Sequence, residues 1–559
     1  MKYSPIAFLA ALVLSGLTGF LIWQYLGSPV SMVDAPPGRV HCLSYTPFTG
    51  DDAPSDPDYA ADPRQIERDL KLLAPVTECI RIYSPDRGLD VALPMAQKLD
   101  MKVLLGIWIA RDEAANEKQI AHAIRLAHEH PDAIKGIIVG NEVLLRGEQG
   151  PKNLIRYIRR VADATHLPVT YADVTDFWMK APKELAEAVD FITIHILPYW
   201  ENDPTSAAGG VAYLKHVREE AAAAFPGKRI FIGETGFPSA GRAREAASPS
   251  LVDQALYLRE FMAYAESIDL DYNLIEAFDQ PWKRVSEGTV GGYWGVYSTD
   301  RVVKFPWRGP VSEHPDWQRK MLMTGVLSAI LLIFAFAQNK SMRLAPAAAL
   351  GVIAAIGATL LILQGEHSQR AARTWLDDIV ECVLFLQTFL TLTFILPQLA
   401  RGSSATTPKS LQHGITWLRR PKLSQLEPSL MLGLLQLLAI LGAMVVSLGL
   451  AFDNRYRDFP LAAFAIPALS FATLALMRGD WKQSDGARHE EVLFFALTLI
   501  CGGVIIYNEG ALNSEAATWI VFMLLLILPW WGVWRDALSQ LRASRKSEST
   551  RPNEPKSAL

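Results

Sequence analysis

The chain has 559 residues, a formal net charge of -4, 50% hydrophobic and 20% charged residues, and a mean hydropathy of +0.14. It is too apolar for a water-soluble protein of this size, and too long for one hydrophobic core, which stops growing near about 250–300 residues. Near-neutral charge argues against a nucleic-acid partner, and four cysteines with no C-x-x-C or H-E-x-x-H leave neither a disulfide scaffold nor a zinc or redox motif.

Ile6 to Leu26 is an unbroken apolar run behind Lys2. It exceeds the roughly 7–15 residues of a signal-peptide core and is long enough to cross a bilayer, so residues 1–34 read as an uncleaved anchor, with a cleaved signal as the alternative. Residues 35–316 are mixed in polarity and form a globular domain. Eight β-rich segments recur there: Arg39–Tyr45, Cys79–Tyr83, Lys102–Ile109, Gly136–Gly140, Pro168–Tyr171, Phe191–His195, Arg229–Gly233 and Tyr272–Ala277. Between them Arg64–Leu73, Leu89–Leu99, Glu117–His130, Lys152–Thr165, Pro182–Ala188, Ala207–Phe225 and Val252–Ile268 carry apolar residues at helical spacing. This alternation, without the Gly-rich phosphate loop of an open doubly wound sheet, predicts an α/β fold, a closed (β/α)8 TIM barrel.

Residues 317–536 change abruptly to seven apolar stretches, Met321–Ala337, Leu344–Leu363, Leu376–Leu399, Leu430–Phe452, Pro460–Met477, Val492–Tyr507 and Ala517–Trp534. An amino terminus in the cytoplasm puts Lys340, Arg343, the loops Arg401–Lys422 and Arg478–Arg488 and the basic tail on the inside, as the positive-inside rule asks, although Arg370, Arg373, Arg455 and Arg457 weaken the contrast. The barrel then lies outside the cytoplasm. Residues 537–559 read as a cytoplasmic tail, disordered after Ser544, and Trp530, Trp531 and Trp534 as an interfacial aromatic belt. Asp377 and Glu381 stand four apart on one face of their span, as a polar pathway or as groups near the outer surface.

Within the barrel, Glu142 directly follows the apolar end of the fourth strand and Glu234 that of the seventh, at the rim where barrel enzymes carry their catalytic groups. Retaining hydrolysis of a glycosidic bond uses two carboxyl groups about 5–5.5 Å apart, one protonating the leaving oxygen and one attacking the anomeric carbon. Either Glu alone reads as a loop salt bridge; the pair at matched strand ends reads as a catalytic couple. The cluster His122, His128, Glu129 and His130 lacks the i,i+4 histidine spacing of a helical metal site and reads as a solvated face, so no metal and no cofactor is expected. Cys42 and Cys79 lie on adjacent strands, where a bridge is strained; two buried thiols are expected rather than a disulfide.

Gly140-Asn141-Glu142 and Glu234-Thr235-Gly236-Phe237-Pro238-Ser239 resemble the signatures of family 17 glycoside hydrolases, the β-1,3-glucanases and β-1,3-glucanosyltransferases. The likeness extends through Arg81-Ile82-Tyr83, through His195-Ile196-Leu197-Pro198-Tyr199, and through the run Glu276 to Lys283. It implies Glu142 as acid/base, Glu234 as nucleophile and Asn141 on the sugar 2-hydroxyl. The sequence departs at Gln280, where relatives often have a carboxylate, and at Phe237, where many have Trp. Tyr45, Tyr83, Tyr199, Trp200, Phe237 and Trp282 fall near strand ends, where rings either stack on glucose or pack in the core; Lys283 is a candidate for a hydroxyl or a catalytic carboxylate.

Bacterial members of similar layout are associated with β-1,3- and β-1,6-glucan synthesis. The expectation is therefore a multi-pass protein of the bacterial inner membrane with its barrel facing the periplasm, a retaining glucanosyltransferase that elongates or branches β-glucan. A β-glucan donor and acceptor, the lipid bilayer and a membrane glucan synthase or export complex are the expected partners, and nucleic acid is not. The alternatives are an endo-β-1,3-glucanase and a non-catalytic glucan sensor.

Overall fold

The computed structural model describes residues 5–549 except 51, 340–341, 423, 425–426, 453–456, 480, 482–488 and 511. The chain divides into two compact units, Pro29–Glu313 and a second made of the segments Met1–Ser28 and His314–Leu559.

The first unit is the barrel. Its strands are β1 Leu43–Ser44, β2 Cys79–Ile82, β3 Lys102–Ile107, β4 Ile134–Asn141, β5 Val169–Val174, β6 Ile192–His195, β7 Ile230–Thr235 and β8 Tyr272–Leu274, all parallel, in the order β1 to β8 and closed by β8 on β1. Side chains alternate in and out along each strand. Ile80, Ile82, Val103, Leu105, Ile137 and Val139 join the large core shared with the helices, whereas Cys79, Leu104, Ile138, Phe191 and Phe231 form a separate buried cluster. The helices start where the sequence supplies caps. Asp62 and Asp112 accept from backbone N–H groups at the starts of Pro63–Leu73 and Glu113–Glu129, and Ser206 and Ser250 do the same for Ala207–Ala224 and Leu251–Ser267. Pro151–Thr165 buries Leu154, Tyr157, Ile158 and Val161, a stripe at helical spacing. All eight expected strands form, with β1 much shorter and β5 longer than read, and a six-residue helix at Thr175–Lys180 was not anticipated.

The two buried thiols expected at Cys42 and Cys79 are instead a disulfide, with their Cα atoms 4.4 Å apart. The parallel register pairs Leu43 with Ile80, so the cysteines stand opposite each other one step earlier, with their Cα atoms within bridging distance. Disulfides persist in oxidising compartments.

Among the described residues, the second unit holds eight helices long and apolar enough to cross a membrane: Pro5–Leu26, Trp317–Gln338, Leu344–Ala371, Trp375–Arg401, Pro428–Phe452, Leu461–Arg478, Val492–Glu509 and Ser514–Gln540. The first buries Ala7, Ala11, Ser15, Gly19 and Trp23, one residue per turn and mostly small, which lets backbones approach closely. A side chain at Gly351 would run into the backbone of Ala11, and one at Gly19 would press on Thr324. Trp23 donates its indole N–H to Thr324 Oγ1 at 2.7 Å and lies under the Lys320 ammonium, which pairs with Asp316 and Glu366.

Other expectations are resolved by local contacts. Asp377 forms a capping box with Thr374, and Glu381 accepts from Ser368 at 2.7 Å. Of the expected tryptophan belt only Trp531 is exposed; Trp530 is buried and Trp534 stacks on Phe495. Helix persists to Ser549, past the point where disorder was expected, and the rest of the tail lies outside the described residues, as does Lys340. The Arg401–Lys422 loop contains a helix at Leu411–Arg419, and most of the Arg478–Arg488 loop is not described.

The bridge at Cys42 closes a loop of 37 residues. Replacing both cysteines with serine is expected to lower barrel stability by about 2–4 kcal/mol, read as an earlier midpoint in tryptophan-monitored denaturation. A wild-type midpoint insensitive to strong reductant would contradict the bridge.

Candidate active site

The upper interior of the barrel is polar and organised by one cation. Arg81, central in β2 and almost fully buried, donates from Nη1 to Glu234 Oε1 at 2.9 Å and to the Gly233 carbonyl at 2.8 Å, and from Nη2 to Asn141 Oδ1. Tyr83, two residues on and so on the same face, donates its phenol to Glu234 Oε1 at 2.8 Å. Behind it Asn273 donates to Ser44 Oγ at 2.9 Å, and Ser44 lies 3.0 Å from the Tyr83 oxygen. Burial, followed by the Glu234 charge, pushes the Tyr83 phenol well up, so it remains a donor. One carboxylate oxygen of Glu234 thus accepts hydrogen bonds from two fixed donors, which immobilise the side chain.

Glu142 approaches from β4. Gly140 has φ 90° and Glu142 itself φ 51°, a left-handed turn that re-aims the side chain as the strand ends. The following loop is pinned on both sides. Leu144 N–H donates to the Tyr171 phenol at 2.9 Å, and Arg146 donates to the carbonyls of Asn141 and Ile109 while stacking on Trp108 at 4.1 Å. Tyr171 in turn donates to Asp173, whose carboxyl burial pushes up.

Between the two carboxylates stands His195, at the end of β6 and without solvent access. Its Nδ1 is 3.0 Å from Glu142 Oε1 and its Nε2 is 3.7 Å from Glu234 Oε1. One donor atom from each of Glu142, His195 and Glu234 lies within 4.8 Å of the others. Burial raises the Glu142 carboxyl, but its bond to His195, the His195 charge and then Arg146 and Arg81 outweigh burial and hold it below the usual range. The three donors are within reach of a cation, yet Glu234 Oε1 already accepts from both Arg81 and Tyr83, which leaves it little lone-pair capacity for a metal.

Room for His195 is left by Gly233: a Cβ at that position would overlap Thr193 Cγ2 and come within 3.0 Å of His195 Cδ2. At β8, Glu276 is buried and accepts from Lys283 Nζ at 2.8 Å. Burial, partly offset by Lys283, pushes Glu276 up to about 7. Burial alone would depress Lys283, but Glu276 and Glu287 outweigh it and raise it.

The expected sugar contacts separate into two groups. Asn141 and Tyr83 are in the cluster; Trp282 is half-buried and donates to Gln280 Oε1 at 2.9 Å. Tyr45, Tyr199 and Phe237 present no surface to a sugar, which corrects their reading as stacking platforms. Tyr45 bonds Asp69, Tyr199 bonds the Arg242 carbonyl, and Phe237 packs on Tyr257. These rings follow strand ends but turn to the helix side. Lys283 Nζ donates to the Glu276 carboxylate and not to Glu234. Gln280, fully buried, donates to the Phe278 carbonyl, so the amide there serves the β8 loop. Sequence reasoning singled out no role for Arg81, His195 or Glu276. An Arg inside Cys79-Ile80-Arg81-Ile82 and a His closing Ile192-Thr193-Ile194-His195 are charges in apolar strands, which demand buried partners.

A closed parallel barrel with paired carboxyl groups at the ends of β4 and β7 is the layout of a barrel glycosidase. Residues 42–295 match the family model of the BtgE/BtgC glycoside hydrolase domain. A glucan endo-1,3-beta-glucosidase, btgC, of Emericella nidulans is 26% identical over 304 residues, 49% of this chain and 46% of that protein. The chain thus spans under half the length of that relative. Among solved structures, a glycoside hydrolase family 17 beta-1,3-glucanosyltransferase from Rhizomucor miehei is 26% identical, with a TM-score of 0.43, over 48% of this chain and 97% of that one. An endo-laminarinase from Formosa is 20% identical, with a TM-score of 0.41, over 47% and 84%.

Two outcomes follow from this geometry. Gly233→Ala is expected to destabilise the barrel by about 1–3 kcal/mol through overpacking and to displace His195, visible in denaturation and in a loss of activity. Because Glu276 titrates higher folded than its usual 4.5, its contribution to stability is complete below about 4.5 and is lost as pH rises through about 7. Glu276→Gln should flatten that part of the wild-type stability profile; an unchanged slope would show that another group produces it.

Proposed function

We propose that this protein is a membrane-anchored retaining β-glucan glucanosyltransferase that cleaves β-1,3-glucan and transfers the glucosyl end to another glucan, elongating or branching it. The observation that carries the reading is the carboxylate couple, with oxygens of Glu142 and Glu234 within 4.8 Å. That spacing suits double displacement, since an inverting enzyme needs about 6.5–9.5 Å to admit a water between the groups. The likeness of the barrel to the BtgE/BtgC domain supports β-1,3-glucan as the donor.

In the first half-reaction Glu234, held by Arg81 and Tyr83, attacks the anomeric carbon while Glu142 protonates the departing glycosidic oxygen. The product is a glucosyl ester on Glu234. Asn141, whose carbonyl oxygen is engaged by Arg81, has its amide N–H groups to offer the sugar 2-hydroxyl, a bond that strengthens as oxocarbenium character grows. In the second half-reaction Glu142 removes a proton from the acceptor hydroxyl, which attacks the ester and frees Glu234. A glucan acceptor gives transfer; water gives hydrolysis, the endo-β-1,3-glucanase alternative.

The eight apolar helices support a multi-pass membrane protein. The Cys42–Cys79 disulfide favours an oxidising compartment for the barrel, in keeping with a bacterial inner-membrane protein whose barrel faces the periplasm. The helices beyond a single anchor are the part suited to a glucan synthase or an export complex.

Solubilised protein incubated with a β-1,3-oligoglucoside is expected to yield products longer than the substrate or newly branched; only shorter products would assign hydrolysis, and unchanged substrate a sensor. Glu234→Gln should abolish turnover and keep glucan binding. For topology, a reporter fused after Trp317 should respond as non-cytoplasmic.

A further inference from the structure

We propose that His195 is the positioning residue through which Glu142 and Glu234 are coupled, and that Glu142 and His195 share the single proton used for glycosidic protonation. This rests on the reading of Glu142 as acid/base.

The imidazole has no solvent access, so its protons are exchanged with what it touches. Nδ1 is at hydrogen-bond distance, 3.0 Å, from Glu142 Oε1. Nε2 is buried without a hydrogen bond and faces Glu234 Oε1 at 3.7 Å, too long for a bond but close enough to feel its charge. The ring is placed by Gly233, which admits it, and by the neighbouring strands β5 and β7. The charged and titratable groups around this pair are Glu142, Glu234, Arg81, Tyr83, Arg146 and, across β5, Asp173 with its Tyr171 partner.

With one proton on the pair, two arrangements exist: imidazolium with carboxylate, or neutral imidazole with carboxylic acid. The charge-separated form holds Glu142 ionised, in line with the short Nδ1 contact and the depressed carboxyl described above. When a glucan fills the cleft and excludes water, the proton passes from Nδ1 to Glu142. The carboxyl then gives it to the leaving oxygen as the C1–O bond breaks with its electron pair, while Glu234 supplies the pair for the new C1–O bond. In the return step the acceptor O–H gives its proton to Glu142, its oxygen takes C1, and the ester electrons return to Glu234. The proton then goes back to His195. Protons and charge balance over the cycle, and no other reactant is needed.

A pair that shares a proton holds it to higher pH than Glu142 does alone, because the imidazole offers a second site for the same proton. The alkaline limb of kcat/KM therefore belongs to the pair. In the full-length protein assayed on a β-1,3-oligoglucoside, His195→Gln is expected to move that limb down by about one pH unit, roughly a tenfold loss at pH values above both limbs. A lower rate with both limbs unmoved would mean that His195 only fills space, and would overturn the proposal. Glu142→Ala, assayed on an aryl β-glucoside with a good leaving group, should be rescued by azide with formation of a retained glucosyl azide. Failure of that rescue sinks the acid/base assignment itself, whereas rescue combined with an unmoved His195→Gln limb sinks only the shared proton. Should His195→Gln not fold, the imidazole is followed by NMR on ¹⁵N-histidine-labelled protein. Its titration should fall in Glu142→Gln relative to wild type, and an unchanged titration would also overturn the proposal.

Discussion

The buried guanidinium of Arg81 is the interaction on which the site depends. It touches β7 through Glu234 and the Gly233 carbonyl and β4 through Asn141, so one side chain from β2 spans the barrel interior and fixes the ends of both strands. Breaking such a pair by removing one partner strands an uncompensated charge, a loss of about 3–5 kcal/mol, so position 81 is constrained more tightly than an exposed ion pair would be. The fork geometry matters as much as the charge. A lysine would donate every N–H from a single nitrogen, whereas Arg81 reaches Glu234 from Nη1 and Asn141 from Nη2, two nitrogens in a fixed plane.

Around that cation the barrel uses backbone exceptions to aim its groups. Strand alternation alone would point Glu142 by its place in β4, but the positive φ values at Gly140 and Glu142 break the alternation where the chain leaves the sheet. The register between β6 and β7 shifts between Ile194 and His195, so that His195 pairs with Glu234. At the other end of the strands the Cys42–Cys79 bridge sits among Leu104, Ile138, Phe191 and Phe231.

The eight strands and the positions of Glu142 and Glu234 were legible because they rest on periodicity and on carboxyl groups that abruptly end apolar runs. What was not legible is orientation. Tyr45, Tyr199 and Phe237 lie as close to strand ends as Tyr83 does, yet only Tyr83 turns inward, and that difference depends on register and turn geometry rather than residue type. Arg81 and His195 were visible as charges within apolar strands, but naming their partners requires knowing that residues 81, 141, 195 and 234 converge, a contact between four separate strands. The disulfide was missed for a related reason: whether two cysteines on neighbouring strands can bridge depends on their register, which here sets their Cα atoms 4.4 Å apart.

The chain enters and leaves the barrel through neighbouring segments, since Val30 and Val311 exchange both backbone hydrogen bonds. A domain whose ends are paired in this way is inserted as a cassette, and both ends run into helices of the same second unit. There the first helix is not an independent tether. Its buried small residues and Trp23 commit one whole face to Trp317–Gln338 and Leu344–Ala371, with Thr324, Lys320 and Glu366 closing one end of the seam. In lipid such packing is driven by close approach and interhelical hydrogen bonds instead of the hydrophobic effect, so it reflects residues chosen for a specific neighbour. An anchor alone would leave that face free; its commitment indicates that the first helix is a structural member of the bundle.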